Sequence, residues 1–263
     1  MAYTPKTLFK DEPVLGVTQV RANISNKALT SNLATLTTSA VHGITQVGTI
    51  VLVRGVDSVF DGIYTIHSIP TTTTFTYVKT NANVTSAAVS PVASAVFNTS
   101  VTSGFTISNK VVQNNMATLT TSSAHGLAVG DLVMVTIGDT IYDVMGAQIF
   151  AVPTTTTFSY YVPTTTAATT AVTQGSYAKL PALYTVPAST TTVVSSVVVS
   201  NTGSTSRTFT LNFDGVALAH DATIAANSNV VFDLKQALAT TKTIVGFASH
   251  NAVEFMISGM EIA

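Results

Sequence analysis

Only 9% of the 263 residues are charged and the net charge is −1, against roughly 25% charged residues in an ordinary soluble domain; this excludes the clustered lysines and arginines of a nucleic-acid footprint or a polybasic membrane patch. No apolar run approaches the roughly 18 residues of a membrane-spanning helix, and zero cysteines exclude disulfides, thiolate metal sites and cysteine nucleophiles. A neutral surface rich in Thr and Val is poor at keeping a free monomer soluble and suits a chain whose faces are covered by neighbours.

Residues 1–25 open with MAYTPKTLFK, which lacks the basic-then-apolar pattern of a signal peptide; synthesis in the cytoplasm without export by that route is expected. A charged Lys10-Asp11-Glu12-Pro13 break and a short Val-rich strand follow.

Residues 26–96 and 109–178 carry the same ordered set of motifs. Ala34 to Ser39 and Ala117 to Ser122 both read ATLTTS, followed by His42-Gly43 and His125-Gly126. A Val-Gly and an apolar strand come next, Val47 to Val53 and Val129 to Val135, then Asp57/Asp61 and Asp139/Asp143. Each set closes on Pro-Thr-Thr-Thr-Thr-Phe-x-Tyr, Pro70 to Tyr77 and Pro153 to Tyr160. The matched order and spacing imply an internal duplication. Four to six short strands per repeat predict two tandem small β-barrel or β-sandwich modules, with a break at Ile69-Pro70. Residues 97–108, with Gly104, read as a linker. The Pro/Thr/Ala stretch Val162 to Thr173 reads as an exposed loop or arm.

Residues 179–263 hold about seven strands at 8–12-residue spacing, the pattern of an antiparallel sandwich of Ig-like or jelly-roll size. Asp214-Gly215 is a two-residue hairpin signal. Leu234 to Leu238 could form one helical turn. The fold class is therefore all-β.

Few residues suggest chemistry. His42 and His125 are either paired ligands or pH switches, or turn histidines before glycine; no second His or Cys stands at ligand spacing, which favours the turn. His67, His220 and His250 have no partner in sequence. Asp57/Asp61 and Asp139/Asp143 could share a Ca²⁺ with loop carbonyls, but two carboxylates per loop fall short of what calcium usually takes, and Asp residues that organise their own turns fit better. No metal or cofactor is expected. The twelve acids include no recognisable glycosidase pair, and no nucleophile elbow or phosphate loop is present. Phe75/Tyr77 and Phe158/Tyr160 read as core and edge residues. Tyr160, Tyr161 and Tyr177 beside the Thr-rich tail are the candidates for a contact surface.

These motifs resemble modules of tailed-bacteriophage virion proteins. The first repeat has Phe60-Asp61-Gly62-Ile63-Tyr64-Thr65-Ile66, with Thr49 where that module has Asp; the second has Val129-Gly130-Asp131-Leu132-Val133-Met134-Val135, with a degraded Tyr142-Asp143-Val144. Leu183 to Pro187, Val193 to Asn201, Gly215 to Leu218 and Ser258 to Ile262 resemble a second phage module. Proteins with that module often begin much like MAYTPKTLFK. The resemblance implies that residues 1–10 pair into the C-terminal sandwich and that both repeats are inserted between its first and second strands. It further implies a non-enzymatic virion subunit whose partners are other capsid or tail proteins and copies of itself. An accessory subunit is favoured over a tail tube, which is expected to offer one long hairpin for ring stacking. A receptor-binding module for host surface glycan and a depolymerase are the competing expectations.

Overall fold

The computed structural model describes residues 3–11, 19–89, 93–98, 106–250 and 252–262. Every regular element among them is a β-strand, and the strands pair antiparallel. The chain divides into two compact units, Thr18–Lys179 and Met1–Val17 with Leu180–Ala263. Strand β1 (Tyr3–Asp11) belongs to the latter.

In the Thr18–Lys179 unit, the first repeat comprises β2 (Gln19–Thr30), β3 (Leu33–Thr38), β4 (Ile50–Arg54), β5 (Gly62–Thr65), β6 (Ser68–Thr71), β7 (Thr74–Val78), β8 (Val84–Ala88) and β9 (Ser94–Asn98). The strand order is β5-β4-β9-β2-β3-β7-β6, with β8 also on β2. Strand β2 pairs with β9 through its first half and with β3 and β8 through its second. It thereby joins two ladders around one core that includes Ile24, Leu36, Val51, Phe75, Tyr77 and Phe97. The expected boundary at residue 26 thus falls inside a strand, which continues through an irregularity: Ala22 and Ile24 are buried before it and Leu29 after it, and the ladder to β3 shifts register between Ile24 and Asn26. Glu12 and Pro13 of the expected break, and Gly104 with the rest of 99–105 in the expected linker, lie outside the described residues; Phe97 and Asn98 end β9, and Ile107 and Ser108 begin the next strand.

The second repeat comprises β10 (Ile107–Gln113), β11 (Met116–Thr121), β12 (Leu132–Thr136), β13 (Val144–Gln148), β14 (Ala151–Thr154), β15 (Thr157–Tyr161), β16 (Thr166–Ala171) and β17 (Ser176–Lys179). Its sheets run β14-β15-β11-β10-β16 and β13-β12-β17 over a core of Leu119, Val133, Val135, Phe158, Tyr160 and Tyr177, among others. The first hairpin of each repeat turns on two residues of positive φ, Ser31-Asn32 and Asn114-Asn115, the backbone a two-residue turn demands.

Val162 to Thr173 is not a loop or arm: it contains β16, which pairs with β10. Its Thr/Ala composition reflects an edge strand that is exposed along nearly all its length. Ile69-Pro70 does not break the chain either, since Pro70 sits within edge strand β6, as Pro153 does in edge strand β14. An edge strand has one side free, so a missing N–H is tolerated there.

The other unit pairs β1 antiparallel with the last strand. Its remaining strands are β18 (Ala182–Thr185), β19 (Thr191–Asn201), β20 (Arg207–Phe213), β21 (Val216–Ile224), β22 (Ser228–Leu238), β23 (Thr243–Ala248) and β24 (Val253–Ile262). Two four-stranded sheets, β1-β24-β19-β22 and β18-β23-β20-β21, form a sandwich. Val194, Val197, Val199, Phe255 and Ile257 from one sheet and Phe209, Leu211, Ile244 and Phe247 from the other are buried. The sheets approach closely where Phe255 lies over Gly246; a Cβ there would stand 2.6 Å from the Phe255 ring. Asp214 and Gly215 both have positive φ and turn the β20–β21 hairpin. Leu234 to Leu238 forms no helical turn but the end of β22, because its ladder with β19 continues to Leu238. Buried Asn201 ties the end of β19 down: its Nδ2 donates to the carbonyls of Thr205 (2.8 Å) and Ala225 (3.0 Å), and its Oδ1 accepts from Gly203 N–H.

Candidate functional site

The repeated histidines are buried staples of the loop that follows β3 and β11. Nδ1 of His42 accepts the Ile44 N–H at 3.1 Å, and Nδ1 of His125 accepts the Leu127 N–H at 2.9 Å. Nε2 of His125 lies 3.2 Å from the carbonyls of Thr154 and Thr157, so that nitrogen donates. The rings stand edge-on to Phe75 and Phe158. No group of three or more His, Cys, Asp or Glu side chains suited to a metal occurs among the described residues.

The Asp-x-x-x-Asp carboxylates are engaged by their own loops. Asp57 Oδ1 accepts from Val59 N–H (2.8 Å) and Phe60 N–H (3.2 Å), while Oδ2 accepts from Lys27. Asp61 accepts from Gly55 N–H (3.0 Å) and Val56 N–H (2.9 Å). In the second repeat Asp139 accepts from Ile141 N–H (3.0 Å) and Lys110 Nζ (2.6 Å), and Asp143 from Ile137 N–H (2.6 Å). Each lysine also stands over an aromatic ring, Lys27 over Phe60 and Lys110 over Tyr142. Burial pushes Asp57 and Asp139 up, but the lysine hydrogen bond, the loop N–H groups and the lysine charge together hold both below the usual carboxylate range. Burial wins at Asp143, whose carboxyl is raised. The sequence repeats these lysines, though not their pairing: Ile-Ser-Asn-Lys occurs at Ile24 to Lys27 and again at Ile107 to Lys110.

Two of the three candidate contact tyrosines face inward. Tyr160 and Tyr177 are fully buried; Tyr160 donates its hydroxyl to the Tyr142 carbonyl (2.5 Å) and Tyr177 to the His125 carbonyl (3.2 Å). Strand alternation decides this, since the two faces of β15 separate Tyr160 from Tyr161. Tyr161 is 59% exposed and packs against Phe150, itself 52% exposed, with ring centroids 4.7 Å apart. Phe150 escaped the sequence reading because it stands singly between two strands.

The first repeat explains what this pair is. By position in the shared motifs, Phe150 corresponds to His67 and Tyr161 to Val78. Both first-repeat positions are engaged by the second repeat. His67 Nδ1 accepts from Gly175 N–H (3.1 Å), and Gly138 lies so close to Val78 that a Cβ there would stand 2.7 Å from its methyl. Thr80 donates to the Gly138 carbonyl (3.2 Å); Ser176 donates to Thr65 Oγ1 (2.8 Å) and the Ile66 carbonyl (3.1 Å). The corresponding end of the second repeat presents Phe150 and Tyr161 to solvent. It has the chemistry of an interface: a small apolar surface with aromatic anchors.

No protein-family model matches the chain, and no curated protein matches it.

Proposed function

We propose that the chain is a non-enzymatic structural subunit of a tailed-bacteriophage particle, an exterior accessory component of the capsid-decoration or minor-tail type. It is incorporated in many copies on the virion, and its partners are capsid or tail subunits and further copies of itself. The observation that carries the assembly reading is the open end of the second repeat. The first repeat has the same end covered; the second displays an aromatic pair there. The phage assignment draws on the motif resemblance, and the sparse charge favours a chain that works with its surfaces covered.

Gold-labelled antibody against the chain on intact purified particles tests this. Label over the head makes the chain a capsid decoration, and label along the tail makes it a tail component. Particles without label overturn the virion reading. The variant F150D/Y161D, which changes only exposed side chains, is expected to fold normally yet be lost from particles.

The same aromatic pair supports a second reading, recognition of host surface glycan by ring stacking. A glycan array that is blank for the purified protein removes it. Binding that F150D/Y161D abolishes would establish it.

A further inference from the structure

The sandwich ends on one side in two edge strands, β21 and β22, one from each sheet. Between them lies an open groove of about 470 Å³ lined by apolar residues including Phe213, Val216, Leu218, Leu234 and Leu238. Strand β22 is eleven residues long, and its outer backbone has no strand partner among the described residues. Long unpaired edges are templates for another chain, and proteins that stay monomeric shorten or cover them or blunt them with charges and bulges.

From Ser228 to Lys235 the even positions of β22 are half-buried and the odd ones exposed. The ladder to β19 is irregular between Asp233 and Gln236, yet this alternation runs through it as far as Lys235. The exposed charges of the strand are Asp233 and Lys235, and neither has an ion-pair partner among the described residues.

We propose that β22 pairs antiparallel with β22 of a second molecule of this chain, about a two-fold axis at Leu234. The strand's own pattern selects the register. Residues directly opposite in an antiparallel pair point to the same side of the sheet, so an odd residue must face an odd one if both apolar faces are to stay on the core side. Among such registers, an axis at Asp233 or at Lys235 sets like charges opposite each other, which is unfavourable. An axis at Leu234 places Asp233 of each molecule opposite Lys235 of the other, and Val231 opposite Ala237. The contact is isologous, so it closes at a dimer through this edge. It involves the sandwich rather than the Phe150/Tyr161 end and does not depend on which particle, if any, the chain joins.

Because the chain has no cysteine, a single introduced thiol reports the register. Full-length L234C, oxidised mildly, is expected to give a covalent dimer on non-reducing electrophoresis, since axis residues of an antiparallel pair have Cα atoms about 4.5–5.5 Å apart, within disulfide reach. The control V216C, exposed on the neighbouring edge, should give far less. Equal cross-linking of the two, or none, overturns the proposal. Analytical ultracentrifugation supplies a readout that leaves Leu234 intact. D233K and K235D each set like charges opposite at both symmetry-related contacts and should weaken self-association about tenfold. The double swap D233K/K235D restores complementarity and should restore the dimer. A full-length chain that is monomeric at all accessible concentrations, or a double swap no better than the single variants, overturns it.

Discussion

At the residue scale, the loops between β4 and β5 and between β12 and β13 each depend on one of their own aspartates paired with a lysine from a distant strand, Lys27 of β2 or Lys110 of β10. The sequence showed that Asp57 and Asp139 were suited to organising their own turns, because an Asp side chain reaches N–H groups two residues on. It did not show that Lys27 and Lys110 complete them, because a separation of about 30 residues is bridged only by the fold. Asp57→Ala and Asp139→Ala should each cost about 1–2 kcal/mol in urea unfolding, the usual range for removing such N–H acceptors. Since these carboxylates are already occupied, millimolar Ca²⁺ should leave the melting temperature unchanged; a rise that both Ala variants abolish would instead assign an ion site. The pH dependence has two signs. Asp57 and Asp139 are lowered from 3.8 in the fold, so their stabilisation is present above that unfolded value and is lost as pH falls through the lowered folded one. Asp143 is raised from the same reference, so its contribution is present below 3.8 and is lost as pH rises through the folded value. The variant K27M/K110M removes the lysines' share of the lowering at Asp57 and Asp139 and leaves that of the loop N–H groups. It should therefore flatten the acid limb of stability against pH, and an unchanged limb would show that the pairs contribute nothing in solution.

At the scale of elements, composition and turn chemistry made some strands legible, among them the apolar strands within Val47 to Val53 and Val129 to Val135 and the hairpin at Asp214-Gly215. The same rules located the errors. Tyr160 and Tyr161 are adjacent, and only the register of β15 on β11 determines which faces the core. Strand β16 carries the Thr/Ala composition of a loop because it is an exposed edge, and β22 keeps its strand through Leu238 because β19 pairs with it. The docking of the two repeats was not legible, since it rests on close backbone approach rather than on a sequence period. Gly175 takes part through its N–H, which donates to His67, while its tightest packing is inside the second repeat. Its φ is +143°, and a Cβ would stand 2.5 Å from the Ile137 side chain and 2.8 Å from its Cα. Gly43 also has positive φ, +71°, but no atom lies within 4 Å of a Cβ placed there. Gly43→Ala should therefore show backbone strain alone, about 1 kcal/mol. Gly175→Ala adds an overlap with backbone and should cost about 2–4 kcal/mol. Equal urea midpoints for the two variants would mean that the second repeat yields around Ile137 without cost.

At the scale of the whole molecule, the unit that contains the sandwich is discontinuous in sequence: β1 precedes the Thr18–Lys179 unit and β18 to β24 follow it. Composition alone gives no hint of this, because the N-terminal strand looks like any short mixed strand; only the resemblance of MAYTPKTLFK to phage module openings pointed to it. The arrangement has a consequence for unfolding. Strand β1 pairs with β24 from Tyr3 to Asp11, buries Phe9 and ion-pairs Lys6 with Glu261, which in turn accepts from the Tyr184 hydroxyl of the opposite sheet. Removing residues 1–11 deletes a core phenylalanine, worth about 3–5 kcal/mol by itself, and uncovers the edge of β24. Each unit has its own core, so calorimetry of the full chain should resolve two transitions. The truncation should lower or abolish the one belonging to Leu180–Ala263 and leave that of Thr18–Lys179 in place. Fragments from limited proteolysis identify which transition is which, the surviving one mapping to Thr18–Lys179. A single transition that shifts as a whole on truncation would show instead that the two units unfold as one cooperative body, and stability would then have to be assigned to the chain rather than to its parts.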